Sequence, residues 1–283
     1  MTIREARAKP PAAPSSAAPR PVGPAALRRR PLATLFVATA LVSAFFLLFP
    51  DADIAVSRWF FTPGEGFRLA EDPAMLLVRE IGESFTIAIV AVSLGILVLP
   101  LLRRGAVLRW LKPHAALYIL AVYILGPALL VNALFKNSFG RARPREIAAF
   151  GHDALFSPVW TVSTACSGNC SFVSGEGAAA AALLCLLPLV PNRERGIVAV
   201  SLLAIAASVS AARVAMGAHF LSDTMLSWLL VLTVAALMKP LILERGAARI
   251  DDAFLVLSER LWAFRRACRR RWRAARDLRR ARG

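Results

Sequence analysis

The chain has 283 residues, 57% of them hydrophobic, and its apolar residues fall in long blocks that no soluble domain of this size can bury, so composition indicates an integral membrane protein. Lys and Arg number 35 against 18 Asp and Glu, a formal net charge of +17, but the basic residues gather at the chain ends and in short loops between apolar blocks. That is the positive-inside pattern and not a nucleic-acid-binding surface, and the chain has neither solenoid repeats nor a dinucleotide or P-loop glycine motif.

Residues 1–30 are rich in Ala, Pro and Arg without an apolar period. They read as a disordered basic tail whose end, Arg28, Arg29 and Arg30, marks the cytoplasmic side. A first span is expected over 31–49, and its apolar run exceeds the roughly 7–15 residues of a signal-peptide core, which favours an uncleaved anchor. Residues 51–83 hold more acids than bases and read as an outside loop. The second span, 85–102, returns the chain inside at Arg103, Arg104, Arg109 and Lys112. The third, 115–135, ends at Lys136 and opens a long polar outer loop that runs to Ser174.

The fourth span is expected over 175–190, with small residues from Gly177 to Ala182 that let helices approach closely. The fifth covers 196–212 and the sixth 220–243. Six crossings place both termini in the cytoplasm, so the expected fold is an all-α, six-transmembrane helical bundle over 31–243. Residues 244–283 form a basic tail with Ile250, Phe254, Leu257, Leu261 and Phe264 in helical spacing. An amphipathic helix on an anionic inner leaflet fits that pattern, and a solvated basic tail is the other reading.

This topology gathers three polar segments on one side of the membrane. They are KNSFGRARP from Lys136 to Pro144, SFVSGEG from Ser171 to Gly177, and RVAMGAHFLSD from Arg213 to Asp223. Lys136, Arg141 and Arg143 break the charge rule obeyed elsewhere, and binding an anion is a reason to do so. Ser174 and Gly175 at a helix start aim backbone N–H groups and the positive dipole end at whatever lies above. His219 and Asp223, four apart, share a helix face where a carboxylate can hold an imidazole in one tautomer. Taken singly, each segment also reads blandly, as a basic interfacial loop, an ordinary N-cap, or an interfacial His and Asp.

Together, Lys136 with Arg143-Pro144, then Ser174-Gly175, then Arg213, His219 and Asp223, resemble the three-part signature of the type 2 phosphatidic acid phosphatase (PAP2) superfamily. The resemblance runs from about the third span to the sixth. It implies a lipid phosphatase without metal or other cofactor in which Lys136, Arg143 and Arg213 hold the phosphate and Ser174 and Gly175 donate backbone hydrogen bonds. His219 is then the nucleophile and Asp223 its partner. Two positions depart from the pattern. Ala212 replaces a serine before the last arginine, and Glu176 stands where the family places a histidine taken as the general acid. The wider run GNCSFVSGEGA, with FGHDALFSP ahead of it, resembles the lipid A 4′-phosphatase branch, and in that light Glu176 becomes the candidate acid.

A phosphate monoester dianion requires neutralised equatorial charge, an in-line nucleophile and a proton for the leaving oxygen. Three cations, a histidine and a carboxylic acid supply that minimum. No Cys/His or carboxylate cluster suggests a metal, since His114 lies on the other side and His152 stands alone in its loop as a substitute acid at best. Cys166 and Cys170 lie in the outer loop, where disulfides persist, and a bond between them would pin the entry to Ser171 through Ser174, provided their Cβ atoms come within ~4.5 Å. The expected setting is a bacterial-type inner membrane with the site facing the periplasm, and the expected partners are the bilayer and a lipid phosphate, with no nucleic acid. A polyprenyl-pyrophosphate, phosphatidate or phosphatidylglycerophosphate phosphatase, a lipid phosphotransferase, and a non-catalytic lipid-phosphate binder or transporter are the alternatives. The sequence leaves open the oligomeric state and which lipid phosphate is used.

Overall fold

A computed structural model describes residues 31–102 and 112–280. The tail expected over 1–30, with Arg28 to Arg30, and the basic residues Arg103, Arg104 and Arg109 lie outside the described residues. The described chain is helical, with two isolated bridges and no named strand. Its helices are α1 (Pro31–Leu48), α2 (Asp51–Arg58), α3 (Pro73–Leu102), α4 (Pro113–Ser138), α5 (Gly175–Leu189), α6 (Arg195–Ala215), α7 (Leu221–Arg245) and α8 (Ala247–Arg280).

Five of these, α1, α3, α4, α6 and α7, are long and apolar enough to cross a membrane. Their outward faces carry Phe36, Leu41, Ile87, Val92, Leu129, Ile197 and Val200, all exposed, as a surface solvated by lipid requires. The expected fourth span is α5, an apolar helix that falls short of that length. It begins as α-helix over Gly175–Ala182 and tightens into a 3-10 helix over Leu183–Leu189, which contains Pro188. The tighter winding rises further per residue, so α5 reaches about 26 Å, close to the ~30 Å of a hydrocarbon core. Its Ala178, Ala180, Ala181, Ala182 and Leu183 are buried among α3, α4, α6 and α7, because small side chains let four helices close around one.

Two expected boundaries move. The second span does not start near residue 85, because Asp72 accepts from the Ala74 and Met75 amides through Oδ1 and Pro73 takes the first helical position. That cap and proline open α3 twelve residues early, so Arg79, Glu80 and Glu83 are helical residues and not loop. The fifth span runs past Ala212 to Ala215, which puts Arg213 in the last turn of α6. In α4 the stretch Ile124–Phe135 is a π-helix around Pro127, whose missing N–H removes one rung of the ladder and favours a wider turn. α4 therefore continues to Ser138 and carries Lys136 on the helix.

The bundle core centres on Tyr118, Val122, Val131, Ala178, Leu226 and Val231. A second cluster of Phe67, Ile147, Phe150 and Phe220 caps the site end. There the long segment between α4 and α5 folds back over the bundle, and Trp160 donates through Nε1 to Ser43 on α1 at 2.8 Å. At the opposite end α8 packs along α3 and α4. His114 Nδ1 lies 2.9 Å from Asp251, and the indole N–H of Trp262 donates to the Pro100 carbonyl at 3.1 Å. The expected basic tail is thus one long helix whose Leu255, Leu257 and Phe264 stay exposed.

Candidate active site

The turn between α6 and α7 sets the geometry. Gly217 has φ +62, a left-handed conformation, and a Cβ there would collide with the Phe67 ring. The Gly217 amide donates to Val214 O at 2.9 Å and the Ala218 amide to Arg213 O at 3.1 Å, the paired bonds of a Schellman motif. The chain reverses at that glycine and places His219 back over Arg213. At the start of α7, Asp223 reaches back to accept from the Phe220 amide at 2.9 Å, as a third-position acid does in a capping box.

His219 therefore lies in the turn and not on the helix face shared with Asp223. Its Nδ1 is 2.8 Å from the Ser171 carbonyl and 3.9 Å from Asp223 Oδ2. A carbonyl oxygen can only accept, so Nδ1 carries the hydrogen and the Nε2 lone pair is free. The imidazole is buried, and burial together with the charges of Arg213, Lys136 and Arg143 pushes its pKa well below the ordinary histidine range, against the opposing pull of Ser171 O. A neutral ring with Nε2 unprotonated is the state a nucleophile needs.

Asp223 is held by other groups. Arg141 Nη1 donates to Oδ1 at 2.6 Å and the Ser171 hydroxyl to Oδ2 at 2.6 Å. Arg141 is itself 1% exposed. Its remaining donors go to Asp53 at 2.9 Å, Ser222 Oγ at 2.9 Å and Ser157 O at 2.8 Å, and its face stacks 4.3 Å from the Phe220 centroid. Asp53 closes the set by accepting from the Ser222 amide and hydroxyl. Burial works against this guanidinium, yet Asp223 and Asp53 outweigh it and raise its pKa above the ordinary arginine value.

The phosphate-binding candidates come from three elements. Lys136 on α4 donates to Asn169 Oδ1 at 3.0 Å, and Arg143 Nη2 donates to Asn169 O at 2.7 Å. A Cβ on Gly175 would meet Lys136 Nζ at 3.2 Å, so the ammonium group sits beside the start of α5. The Ser174 hydroxyl caps that helix by accepting from Gly177 N, while its own amide donates to Asp223 O at 3.2 Å. Ser174 N–H is thus already used, and the two amides left without an acceptor among the described residues are those of Gly175 and Glu176. Arg213 Nε lies 3.5 Å from Glu176 Oε2, outside hydrogen-bond geometry, which leaves a buried donor with no partner among the described residues. Buried donors are seldom left so, and a phosphate oxygen would satisfy all three.

Glu176 lies on α5 facing α3, where Arg79 Nε donates to both its oxygens at 3.1 and 3.0 Å. The sequence did not single out Arg79, Asp53, Asn169, Ser171 or Ser222. The one available signal was the Asp72-Pro73 pair, which opens α3 and so brings Arg79 onto a helix. His152 is exposed, and His114 is at the opposite end paired with Asp251. Cys166 and Cys170 form a disulfide with their Cα atoms 5.7 Å apart. Among the described residues no three His, Cys, Asp or Glu side chains gather as a metal site requires.

Cations, orphan amides and a neutral imidazole at one end of an apolar bundle define a membrane enzyme that works on phosphate esters. Residues 115–247 match the PAP2 superfamily. The lipid A 4'-phosphatase of Rhizobium leguminosarum is 35% identical over 205 residues, 68% of this chain and 88% of that protein. Its counterpart in Francisella tularensis subsp. novicida is 29% identical over 186 residues, 63% of this chain and 81% of that protein. The crystal structure of a transmembrane PAP2 type phosphatidylglycerolphosphate phosphatase from Bacillus subtilis superposes with a TM-score of 0.51 at 22% identity, over 76% of this chain and 98% of that one. The chain belongs to the PAP2 superfamily. It is a membrane lipid phosphatase, a phosphoric monoester hydrolase, as the signature residues led us to expect.

Proposed function

We propose that the enzyme removes the phosphate of a sugar-based lipid, with the 4′-phosphate of lipid A as its reference substrate, by way of a phosphohistidine on His219. The observation that carries this reading is the ring of His219, neutral, fixed through Nδ1 and surrounded by the charges of Lys136, Arg143 and Arg213. Nε2 attacks phosphorus as the P–O bond to the lipid breaks, and the leaving alkoxide takes a proton from Glu176. The Glu176 carboxylate then takes a proton from a water whose oxygen attacks phosphorus, the P–N bond breaks to restore the neutral His219 ring, and phosphate departs. The cations, the Gly175 and Glu176 amides and the free Arg213 donor neutralise the oxygens throughout, with no metal required. Similarity to three lipid A 4'-phosphatases supports the substrate. An apolar groove of about 530 Å³ between α1, α6 and α7 supports a lipid, since Val214 and Leu221 at the edge of the catalytic turn line it and acyl chains can follow it down. We place the site on the periplasmic side of a bacterial inner membrane, with α5 as a sixth crossing and both termini inside.

A second reading of Glu176 rests on Arg79. A carboxylate held at 3.0 Å by one guanidinium and 3.5 Å from another orients both, and that pairing must open before it can carry a proton. The test is phosphate release by the purified protein from lipid A, phosphatidate, phosphatidylglycerophosphate and undecaprenyl pyrophosphate. Lipid A is expected to be the fastest, with an acid-labile phosphoenzyme trapped on rapid quenching. His219→Ala should lose at least ~10³-fold in kcat while still binding lipid, and wild-type turnover in that variant would falsify the phosphohistidine. Glu176→Gln should slow lipid A severely and nitrophenyl phosphate little, because nitrophenolate leaves without a proton. Equal losses on both select the orienting role.

A further inference from the structure

Within three consecutive residues, Asn169 to Ser171, lie partners of Lys136, Arg143, His219 and Asp223, which leaves only Arg213, Glu176 and the α5 amides of the proposed machinery untouched by this stretch. The Asn169 side chain accepts from Lys136 and its backbone carbonyl accepts from Arg143. Two residues on, the Ser171 carbonyl accepts from His219 Nδ1 and the Ser171 hydroxyl donates to Asp223. The Ser171 amide donates to Arg141 O at 2.8 Å, which ties the strap to the chain just before Arg143. Ser171 is fully buried with every polar atom bonded, whereas Asn169 is exposed and adopts a left-handed φ of +51. Asparagine takes that conformation more readily than other non-glycine residues, so the turn at Asn169 suits its residue type. Cys170 lies between them, buried, and its bond to Cys166 closes a ring that includes Asn169.

We infer that Asn169 and Ser171 are positioning residues on a single strap, and that the Cys166–Cys170 disulfide holds its exposed end in register with its buried end. The strap fixes the distance between the phosphate-binding cations and the nucleophile. Opening the ring frees Asn169, since a small loop regains most of its conformational freedom when its closure is cut, while Ser171 stays anchored by burial. Oxidation of the cysteine pair thereby becomes a condition for full activity. This inference rests on the catalytic reading of His219, and it divides the two ends by role. Asn169 governs the binding of phosphate, and Ser171 governs the step on phosphorus.

The full-length protein in detergent is compared oxidised, and again after dithiothreitol has reduced the disulfide to two thiols, itself becoming the cyclic disulfide, and the thiols have been alkylated. The readouts are the Kd for inorganic phosphate by ³¹P NMR titration, kcat and KM on lipid, and thermal unfolding. Reduction should weaken phosphate binding about tenfold, the loss expected for one charge-assisted hydrogen bond, with the unfolding temperature nearly unchanged. Asn169→Ala should raise the phosphate Kd and KM about tenfold with kcat within about threefold, and Ser171→Ala should lower kcat about tenfold with the phosphate Kd within about threefold. The Cys166→Ala/Cys170→Ala variant should match the reduced protein and ignore dithiothreitol. Unchanged phosphate affinity after reduction, or Asn169→Ala and Ser171→Ala moving both readouts together, overturns the strap. Oxidised wild type that binds phosphate but releases none from lipid overturns the hydrolytic reading alone, because the strap is judged on phosphate affinity.

Discussion

Arg141 shows how much of this site is built around a side chain closed off from solvent. Its guanidinium stands between two carboxylates, Asp53 and Asp223, under the Phe220 ring, and all three charged side chains are 0–1% exposed. Taking such groups from water costs several kcal/mol each, and the set is tolerable only because nearly every donor and acceptor is used. Removing the cation leaves two buried anions facing each other. Arg141→Met should therefore destabilise the protein by about 3–5 kcal/mol, and adding Asp53→Asn should recover part of that loss. Thermal unfolding of the single and double variants in one detergent measures the coupling. Additive losses would show that Arg141 and Asp53 act separately.

At the scale of the element, the start of α5 is where packing and charge meet. A Cβ on Gly175 would lie 2.5 Å from Asn132 Oδ1 and 3.2 Å from Lys136 Nζ, so a side chain there displaces the ends of both, and glycine lets α4 bring its ammonium group beside the free amides without that shift. Gly175→Ala should push Lys136 aside and raise KM about tenfold with kcat within about threefold, read from steady-state kinetics on lipid. A fall in kcat alone would mean that Lys136 is not the group displaced. The same helix marks the boundary of what the sequence reveals. Lys136, Arg143, Gly175, Arg213 and His219 stand out in the sequence because they carry the three-part signature in chain order and at its internal spacings. The orienting bonds are not, since Arg141 meets Asp223 across 82 residues and Arg79 meets Glu176 across 97. Hydropathy likewise located the five helices long and apolar enough to cross a membrane but missed the start of α3, where a capping Asp72 and Pro73 outweigh the charged first turns, and the end of α6, where a glycine and not the loss of apolar character stops the helix.

For the whole molecule, the proposed orientation makes one separable claim. Single cysteines placed in residues 151–159 of a protein lacking exposed thiols should react with an impermeant maleimide from the periplasm, and cysteines near either terminus only after the cells are opened. Labelling of 151–159 from the cytoplasm would invert the bundle and with it the site. The bond between Asp53 and Ser222 joins residues 169 positions apart in the chain. During synthesis Asp53 thus emerges long before its partners, on the order of ten seconds ahead of Ser222 at ordinary ribosome speeds. Until then α1 and α2 have no fastening to α7, and His219 has no place to stand. On the proposed reading the site is complete only once α7 has emerged and Ser222 has bonded back to Asp53 on α2.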